Sequence, residues 1–307
     1  MSMSRIKIFS VYHRPSKLYC NSCIEPIQVG CANGGVDLGI CRDDTGDNIS
    51  EKNGGYCELT AQYWVWRNYL PSHPELEYVG FCHYRRFMDF WKKKEPAEPS
   101  FFNYRYMEDG VFESTVFNRY TEKNIIAAIP QGTDIVLPEA YYDERELATI
   151  LNLYKVSYGG VGVEECIEVI KEYYANMTTD FLAAMKNRSA YHCLTFLMRR
   201  EVFIRYAKWM FSFLSKVEQL IQVKSYYTPT GRLEGYLGEL FFNMWLAHEI
   251  RTNSITVVEC GGIMLGRSPL KNENRNPWHR IRAIKESGAW IKAELWARKK
   301  CKCMIER

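Results

Sequence analysis

Short apolar runs that end in polar or charged residues recur along the first half of the chain. Ile6–Tyr12 predicts a strand that Pro15 brings to an end, and Tyr78–Cys82 predicts a buried strand, because both runs are rich in β-favouring residues. A histidine follows each run directly, His13 after the first and His83 after the second. Open α/β sheets bind their ligands outside the carboxyl ends of the strands. We therefore expect a functional site where these strands end.

The second of these strand ends carries a cluster of polar side chains, His83, Tyr84, Arg85 and Arg86. A guanidinium group presents a planar fork that matches phosphate oxygens, and it keeps its charge at any ordinary pH. Such a cluster can hold a diphosphate. On the local sequence alone, a solvent-exposed basic turn is an equally good interpretation.

Apolar residues at helical spacing predict helices around the sheet. An apolar stripe predicts one continuous helix that begins near Asn53 and ends at Pro71. Glu58 lies off that stripe, so it either projects toward the pocket or lies on a solvated face, and the solvated face is the favoured interpretation. The segment Asp89–Asn118 has no clean period and is expected to be only partly ordered. Further strands are predicted at Asp134–Pro138, Tyr191–Met198 and Ile255–Glu259, and further helices at Asn124–Ile129, Val202–Ile221 and Tyr236–His248. This order of elements indicates an α/β protein.

Two acidic features are candidates for chemistry. The loop Asp43–Ser50 is dense in residues that bind their own backbone, so it could hold a divalent ion, the hydroxyls of a sugar, or only its own turns. Glu239 lies among apolar residues in a predicted helix that follows Arg232. A carboxylate in such surroundings indicates either a catalytic group or an ion pair with a neighbouring arginine.

Composition excludes some classes of function. The 307 residues carry a net charge of only +4 on 40 basic and 36 acidic side chains, which is too balanced for a protein whose whole surface binds nucleic acid.

The eleven cysteines are scattered and the first residues lack a signal-peptide core, so we expect a reducing cytosol and free thiols. Cys20, Cys23, Cys31 and Cys41 form only a weak zinc candidate. No apolar stretch is long enough to cross a bilayer.

The last part of the chain differs from the rest. Residues 276–307 hold nine Lys or Arg against three acids, and isoleucines and tryptophans recur there at helical spacing. We expect a domain at residues 1–265 and a basic amphipathic helical tail at residues 266–307. The tail either contacts an anionic membrane surface or packs on the domain.

Four longer sequence segments are more specific than the short motifs described above. They are PIQVG at Pro26–Gly30, DDTGDNIS at Asp43–Ser50, YCELTAQYWVWRN at Tyr56–Asn68 and YVGFCHYRRF at Tyr78–Phe87. With weaker matches up to about Leu265, the chain resembles the domain-of-unknown-function family of bacterial capsule, exopolysaccharide and O-antigen loci, some of whose members are galactofuranosyltransferases. Leu240 departs from the resemblance, since the family tends to carry a basic residue after the glutamate.

The resemblance implies a single nucleotide-sugar-binding glycosyltransferase domain of the GT-A type, with a mixed central sheet flanked by helices. It further implies inverting transfer of galactofuranose from UDP-galactofuranose to a lipid-linked glycan acceptor, forming a β linkage. The expected location is cytoplasmic, on the inner face of the cytoplasmic membrane. Open alternatives are another UDP-hexose donor, or a non-catalytic nucleotide-binding partner in a polysaccharide assembly complex. A nucleic-acid-binding module is disfavoured, because basic and aromatic residues are not interleaved along one face.

Roles follow for the candidate residues. Catalytic roles are expected for Glu239 as the base, with Asp44 as its substitute, and for His83. Donor binding is expected from His13, Asp43, Asp47, Asn48, Tyr84, Arg85, Arg86 and Arg232. Many glycosyltransferases place an Asp-x-Asp pair and a metal where this chain has His83-Tyr84-Arg85, so cationic side chains could supply the metal's charge. We expect no required cofactor, with Mn or Mg at the acidic loop as the alternative.

Overall fold

The fold was analysed in a computed structural model, which describes residues 4–93, 100–142, 149–158, 160, 162–223 and 232–267. The strands are β1 Ile6–Tyr12, β2 Ile24–Gln28, β3 Cys41–Arg42, β4 Tyr78–His83, β5 Arg86–Asp89, β6 Ser100–Phe101, β7 Tyr104–Met107, β8 Ile135–Pro138, β9 Tyr141–Tyr142, β10 Ser189–Ala190, β11 Phe196–Arg199 and β12 Val257–Leu265. The α-helices are α1 Asn53–Tyr56, α2 Leu59–Trp64, α3 Leu70–Ser72, α4 Asp109–Thr115, α5 Glu122–Ala128, α6 Ile150–Tyr158, α7 Val163–Tyr173, α8 Thr178–Ala184, α9 Arg200–Val223 and α10 Leu233–Asn253. A π-helical segment, Val65–Tyr69, joins α2 to α3.

Within the described ranges, ten strands form one mixed sheet in the order β3-β2-β1-β4-β11-β8-β12-β7-β6, with β5 paired to β4 and β12. Strand β1 is parallel to β2 on one side and to β4 on the other, whereas β11 runs antiparallel to β4. The chain therefore moves outward from β1 to β2 and β3, then returns to the other side of β1 as β4. Such a reversal of strand order opens a crevice at the carboxyl ends of the two strands.

Side chains of the sheet alternate between two apolar layers. On β1, Phe9 and Val11 pack with residues of α2, α9 and α10 on one face, whereas Ile6 and Ile8 pack with residues of α4 and α5 on the other. This period of two is what a strand buried on both faces requires. The expected mixed α/β architecture is thereby confirmed.

Four predictions about elements are wrong in part. The expected strand at Tyr191–Met198 begins only at Phe196, because Cys193 and Leu194 have left-handed φ angles of 70° and 42°. The expected continuous helix from Asn53 is broken at Cys57, whose φ is 52°. The segment Asp89–Asn118 contains β6, β7 and α4, and β7 pairs with the distant β12. The last strand spans Val257–Leu265, so it begins two residues later and ends six residues later than the predicted Ile255–Glu259.

Other expectations concern the thiols, the membrane and the tail. The nine cysteines in the described ranges are free thiols. None of the described helices is long and apolar enough to span a membrane. The basic tail lies outside the described residues from position 268 onward, so its helix and the domain boundary at residue 265 stay predictions.

Gly80 in the centre of β4 allows the sheet to pack tightly. A Cβ atom there would lie 2.7 Å from the carbonyl oxygen of Phe196 and 3.2 Å from Cγ1 of Ile8. We predict that Gly80→Ala lowers the free energy of unfolding by about 1–3 kcal/mol, measured by urea denaturation. Gly110→Ala is the control, because a Cβ on this residue of α4 meets nothing within 4 Å. Equal stability of the two variants would contradict the packing argument.

Candidate active site

A cavity of about 520 Å³ lies at the carboxyl ends of β1 and β4. Its described walls come from seven places: the end of β1 and the residues after it, the residue after β2, the start of the helical segment at residues 53–58, the turn between β4 and β5, the turn between β6 and β7, the loop before β11, and the first turns of α10. The crevice predicted from the two strand ends therefore exists. Seven of the expected site residues line it, namely His13, His83, Tyr84, Arg85, Arg86, Arg232 and Glu239.

Four arginines, Arg14, Arg85, Arg86 and Arg232, line this cavity in the described part of the chain. Tyr84 lies between two of them, with the Cζ atoms of Arg14 and Arg85 at 5.2 and 5.6 Å from its ring centroid. Arg14 also donates a hydrogen bond of 2.7 Å from Nη2 to the Tyr84 hydroxyl. These contacts hold cationic groups at the rim of the cavity.

Tyr84 also meets His13, whose ring lies edge-on to it at 5.3 Å between centroids. The position of Tyr84 follows from the hairpin, because His83 pairs with Arg86 and leaves Tyr84 and Arg85 as the two-residue turn. The turn therefore presents both side chains at the end of the strand.

Arg86 begins β5 and is half-buried. Burial acts to lower the pKa of its guanidinium, whereas neighbouring groups that include Glu58 and Glu239 raise that pKa above its usual value. Arg86 is therefore a permanent cation beside two carboxyl groups.

The backbone of Cys193 connects two of the predicted catalytic residues. Its N–H donates a hydrogen bond to Oε1 of Glu239, and its carbonyl oxygen lies 2.5 Å from Nε2 of His83. Because a carbonyl can only accept, His83 carries a proton on Nε2. Burial, aided by the charge of Arg86, lowers the pKa of His83 to about 3. His83 is therefore a neutral hydrogen-bonding group and not a cationic phosphate ligand.

Asn243, one helical turn after Glu239, fixes the rest of this loop. Its side-chain oxygen accepts from the N–H of Tyr191 at 2.8 Å, and its Nδ2 donates to the carbonyl of Tyr191 at 3.0 Å. Helix α10 thus holds the loop at Tyr191 through Asn243 and at Cys193 through Glu239.

Left-handed backbone is concentrated around the cavity. Six described residues other than glycine have a positive φ, and three of them, Cys57, Phe102 and Cys193, line the cavity. Such conformations cost free energy and cluster at functional sites. Their concentration here supports a functional role for the cavity.

Glu58 is a second carboxylate in the cavity, so the favoured interpretation, a solvated face, is wrong and the alternative, a side chain directed at the pocket, is the one observed. The left-handed Cys57 breaks the helix just before it, which turns Glu58 toward the cavity. Its Oε1 lies 3.9 Å from Nε2 of His83, and burial raises its pKa above the usual value. The signal in the sequence was the pair Gly54–Gly55, since glycines weaken a helix directly before Cys57.

The turn at Cys57 also packs closely on α10. Nε of Arg232 donates to Sγ of Cys57 at 3.2 Å. A Cβ atom on Gly235 would lie 2.9 Å from that sulfur, so only glycine permits the approach. The position of Arg232 at the cavity therefore depends on this contact.

The comparisons with known proteins bear on this cavity. Residues 7–250 match the family described as domain of unknown function DUF4422. The chain belongs to the DUF4422 family. It is also similar to the solved apo structure of WbbM, a bifunctional glycosyltransferase, with a TM-score of 0.69 and 29% sequence identity. That similarity covers 85% of this chain and 45% of WbbM, so the chain spans less than half of that protein. A search of curated proteins found no match.

The DUF4422 match includes every cavity-lining residue, from Val11 to Glu239. The predicted membership of a domain-of-unknown-function family is confirmed, and the WbbM similarity relates the fold to a glycosyltransferase.

The acidic loop of this DUF4422 protein does not contribute to the described cavity lining. Asp43 is fully buried and accepts hydrogen bonds from the N–H groups of Gly30 and Cys31, at 3.0 and 3.2 Å, and from the hydroxyls of Ser50 and Thr60, at 2.5 and 2.7 Å. These contacts join the loop to the segment after β2 and to α2, so Asp43 stabilises the fold around the loop.

The other acidic-loop candidates also have partners within the protein. Asp44 pairs with Arg42 at 2.6 Å, and Asp47 pairs with Arg67 at 2.6 Å. Hydrogen bonding to Arg42 lowers the pKa of Asp44, which makes it a weaker base. Asn48 bonds the backbone of Gly46 and Ser50. Among the described residues, no group of three or more His, Cys, Asp or Glu is arranged to hold a metal ion.

The neutral state of His83 leads to a pH prediction. Its pKa is about 3 in the folded protein and near 6.5 when unfolded, so the unfolded chain binds the proton first and stability falls as the pH drops below about 6.5. His83→Gln retains an N–H donor for Cys193 but cannot titrate. As the pH falls from 6 to 4, the wild type should therefore lose stability that the variant keeps. We predict that the free energy of unfolding of His83→Gln minus that of the wild type grows by up to about 1.4 kcal/mol for each pH unit. Parallel pH profiles in urea denaturation would contradict a buried neutral His83.

Proposed function

We propose that this DUF4422 protein is an inverting glycosyltransferase of the GT-A type that uses UDP-galactofuranose as donor. The observation that carries the proposal is the convergence of four arginines and two carboxylates at the carboxyl ends of β1 and β4. The strand order supports this type of fold, because ligands of α/β sheets bind at such a switch point. The similarity to WbbM supports sugar transfer as the reaction.

The arginines suit the leaving group. When the bond between the sugar's C1 and the phosphate oxygen breaks, the electron pair leaves with the diphosphate, whose negative charge grows. Arg86, fixed at the start of β5, and the rim arginines Arg14 and Arg85 are placed to stabilise that charge. We propose that this charge substitutes for a metal ion, so that none is required.

Glu239 suits the acceptor. Its orientation is fixed by the N–H of Cys193, as a general base requires. The acceptor's hydroxyl oxygen bonds to C1 as its proton passes to Glu239, and attack opposite to the leaving diphosphate gives the β linkage. Asp44 is the weaker candidate, since it lies outside the described cavity lining and pairs with Arg42.

The remaining details of the proposal rest on the family resemblance. It supports UDP-galactofuranose over another UDP-hexose, and a lipid-linked glycan as acceptor. We propose that the basic tail, with nine Lys or Arg in residues 276–307, holds the enzyme on the anionic inner face of the cytoplasmic membrane.

A thermal-shift experiment with UDP tests nucleotide binding and metal dependence together. UDP should raise the melting temperature of the wild type equally with and without EDTA. Stabilisation that needs Mn or Mg would assign the diphosphate site to a metal, and no stabilisation would contradict nucleotide binding.

Arg86 tests the diphosphate site. We predict that Arg86→Ala lowers turnover of the UDP-sugar at least about a hundredfold, because removing one donor to a developing oxyanion commonly costs that much. Arg86→Lys should recover only part of the rate, since a point charge replaces a bidentate fork. Initial rates of UDP release are the measurement. Arg5→Ala is the matched control, because Arg5 precedes the amino end of β1 and pairs with Glu77 and Glu122. Near-normal rates for Arg86→Ala would contradict the assignment.

Glu239 tests the base. We predict that Glu239→Gln reduces transfer by about a hundredfold or more while UDP binding changes little, because the group acts on the acceptor's proton. Glu249→Gln is the control on the same helix, since Glu249 pairs with Arg205. Calorimetry with UDP and single-turnover transfer assays measure the two quantities. A loss of UDP affinity in Glu239→Gln would reassign the residue to donor binding or to the fold.

A further inference from the structure

The cavity holds one carboxylate more than the proposed transfer uses. Each transfer releases one proton, and Glu239 is placed to take it. Glu58 reaches the same cavity from the N-cap position of α2, with a side chain that is 19% exposed. In the described part of the structure it forms no hydrogen bond with another side chain, and its Oε1 lies 3.9 Å from Nε2 of the neutral His83. Burial raises its pKa, and the charges of Arg86 and Arg232 lower that pKa without outweighing burial.

The position of Glu58 is held by the fold at a cost. The backbone of Cys57 is left-handed directly before it, and Cys57 contacts both Arg232 and Gly235 of the α10 region. This largely buried carboxylate would be more stable in water than in the cavity, because burial disfavours its charged form and raises its pKa. A strained turn that presents a poorly solvated carboxylate to a cavity indicates a ligand for that carboxylate.

Charge limits what this ligand can be. A carboxylate repels a diphosphate, so Glu58 does not serve the phosphate groups that Arg86 and Arg232 attract. The uncharged part of a UDP-sugar next to the diphosphate is the sugar ring, which presents several hydroxyl donors. An ionised carboxylate only accepts hydrogen bonds and can accept from two neighbouring hydroxyls at once.

We infer that Glu58 binds hydroxyl groups of the donor's sugar and thereby sets which UDP-sugar the enzyme accepts. This inference rests on the proposed function. A site that bonds a substrate hydroxyl discriminates strongly against an analogue that lacks it, because a buried polar group is then left without its partner. Glu58 is thus a specificity-determining residue, and the proton transfer remains with Glu239.

Calorimetric binding without acceptor tests the inference on the full chain. The ligands are UDP, UDP-galactofuranose, UDP-galactopyranose and UDP-galactofuranose analogues that each lack one hydroxyl. In the wild type, removing the hydroxyls that Glu58 binds should weaken affinity about tenfold to a hundredfold. In Glu58→Gln, UDP should bind within about threefold of the wild type, whereas UDP-galactofuranose should lose about tenfold or more and the deoxy analogues little further.

Two further variants control for the fold and for charge. Glu58→Asp keeps the charge but withdraws it by one methylene, and it should also lose preference among the UDP-sugars. Glu249→Gln should bind every ligand as the wild type does. Melting temperatures of all variants check folding, and Glu58→Gln should be at least as stable as the wild type at pH 7, because it removes a carboxylate whose pKa is raised by burial.

Three results would overturn the inference. If Glu58→Gln binds all the sugars as the wild type does but transfers none, Glu58 is the base. If the variant loses UDP as strongly as UDP-sugars, Glu58 supports the nucleotide site or the fold. If the wild type binds neither UDP nor any UDP-sugar, the proposed function itself fails, and the wild-type titration alone reveals this.

Discussion

The backbone of Cys193 makes the contacts on which the candidate active site depends. Its N–H fixes Glu239 of α10 and its carbonyl fixes His83 at the end of β4, so one residue ties the helix to the sheet across the cavity. This requires a loop that bends sharply before β11, which the left-handed Cys193 and Leu194 provide. The antiparallel β11 brings that loop beside the end of β4, and Asn243 keeps it there. Without this loop, the carboxylate and the basic turn would have no fixed separation.

The cavity brings opposite charges together. Arg86 is a permanent cation near two carboxylates, and burial acts to lower the pKa of its guanidinium while Cys193, Tyr104, Glu58 and Glu239 raise it above its usual value. The neutral His83 separates the basic turn from Glu58 and adds no positive charge to the site. In the proposed function, the arginines hold the charged diphosphate of a nucleoside-diphosphate sugar, Glu58 binds the hydroxyls of its uncharged sugar, and Glu239 acts on the acceptor. The similarity of the fold to WbbM, a glycosyltransferase, supports this proposed division of roles.

The sequence was informative where structure follows from local pattern. Alternating and continuous apolar runs located β1 and β4, and the rule for strand ends placed His13, His83 and Arg86 at one crevice. The sequence was uninformative where backbone conformation or residues distant in the chain determine where a side chain lies. Nothing in Tyr191–Met198 reveals a left-handed turn, and Glu58 faces inward only because Cys57 breaks its helix. The acidic loop has the composition of a ligand site, yet Arg42 and Arg67 pair with Asp44 and Asp47, and backbone N–H groups and hydroxyls bond Asp43.

A crystal structure of the protein with UDP bound would show whether this cavity holds the diphosphate of a nucleotide sugar. We expect the diphosphate to lie against Arg86, with at least one of Arg14, Arg85 and Arg232 in contact, and Glu58 and Glu239 to remain clear of it. A nucleotide bound at the acidic loop or elsewhere on the surface, with the arginine cavity unchanged, would contradict the proposed diphosphate site.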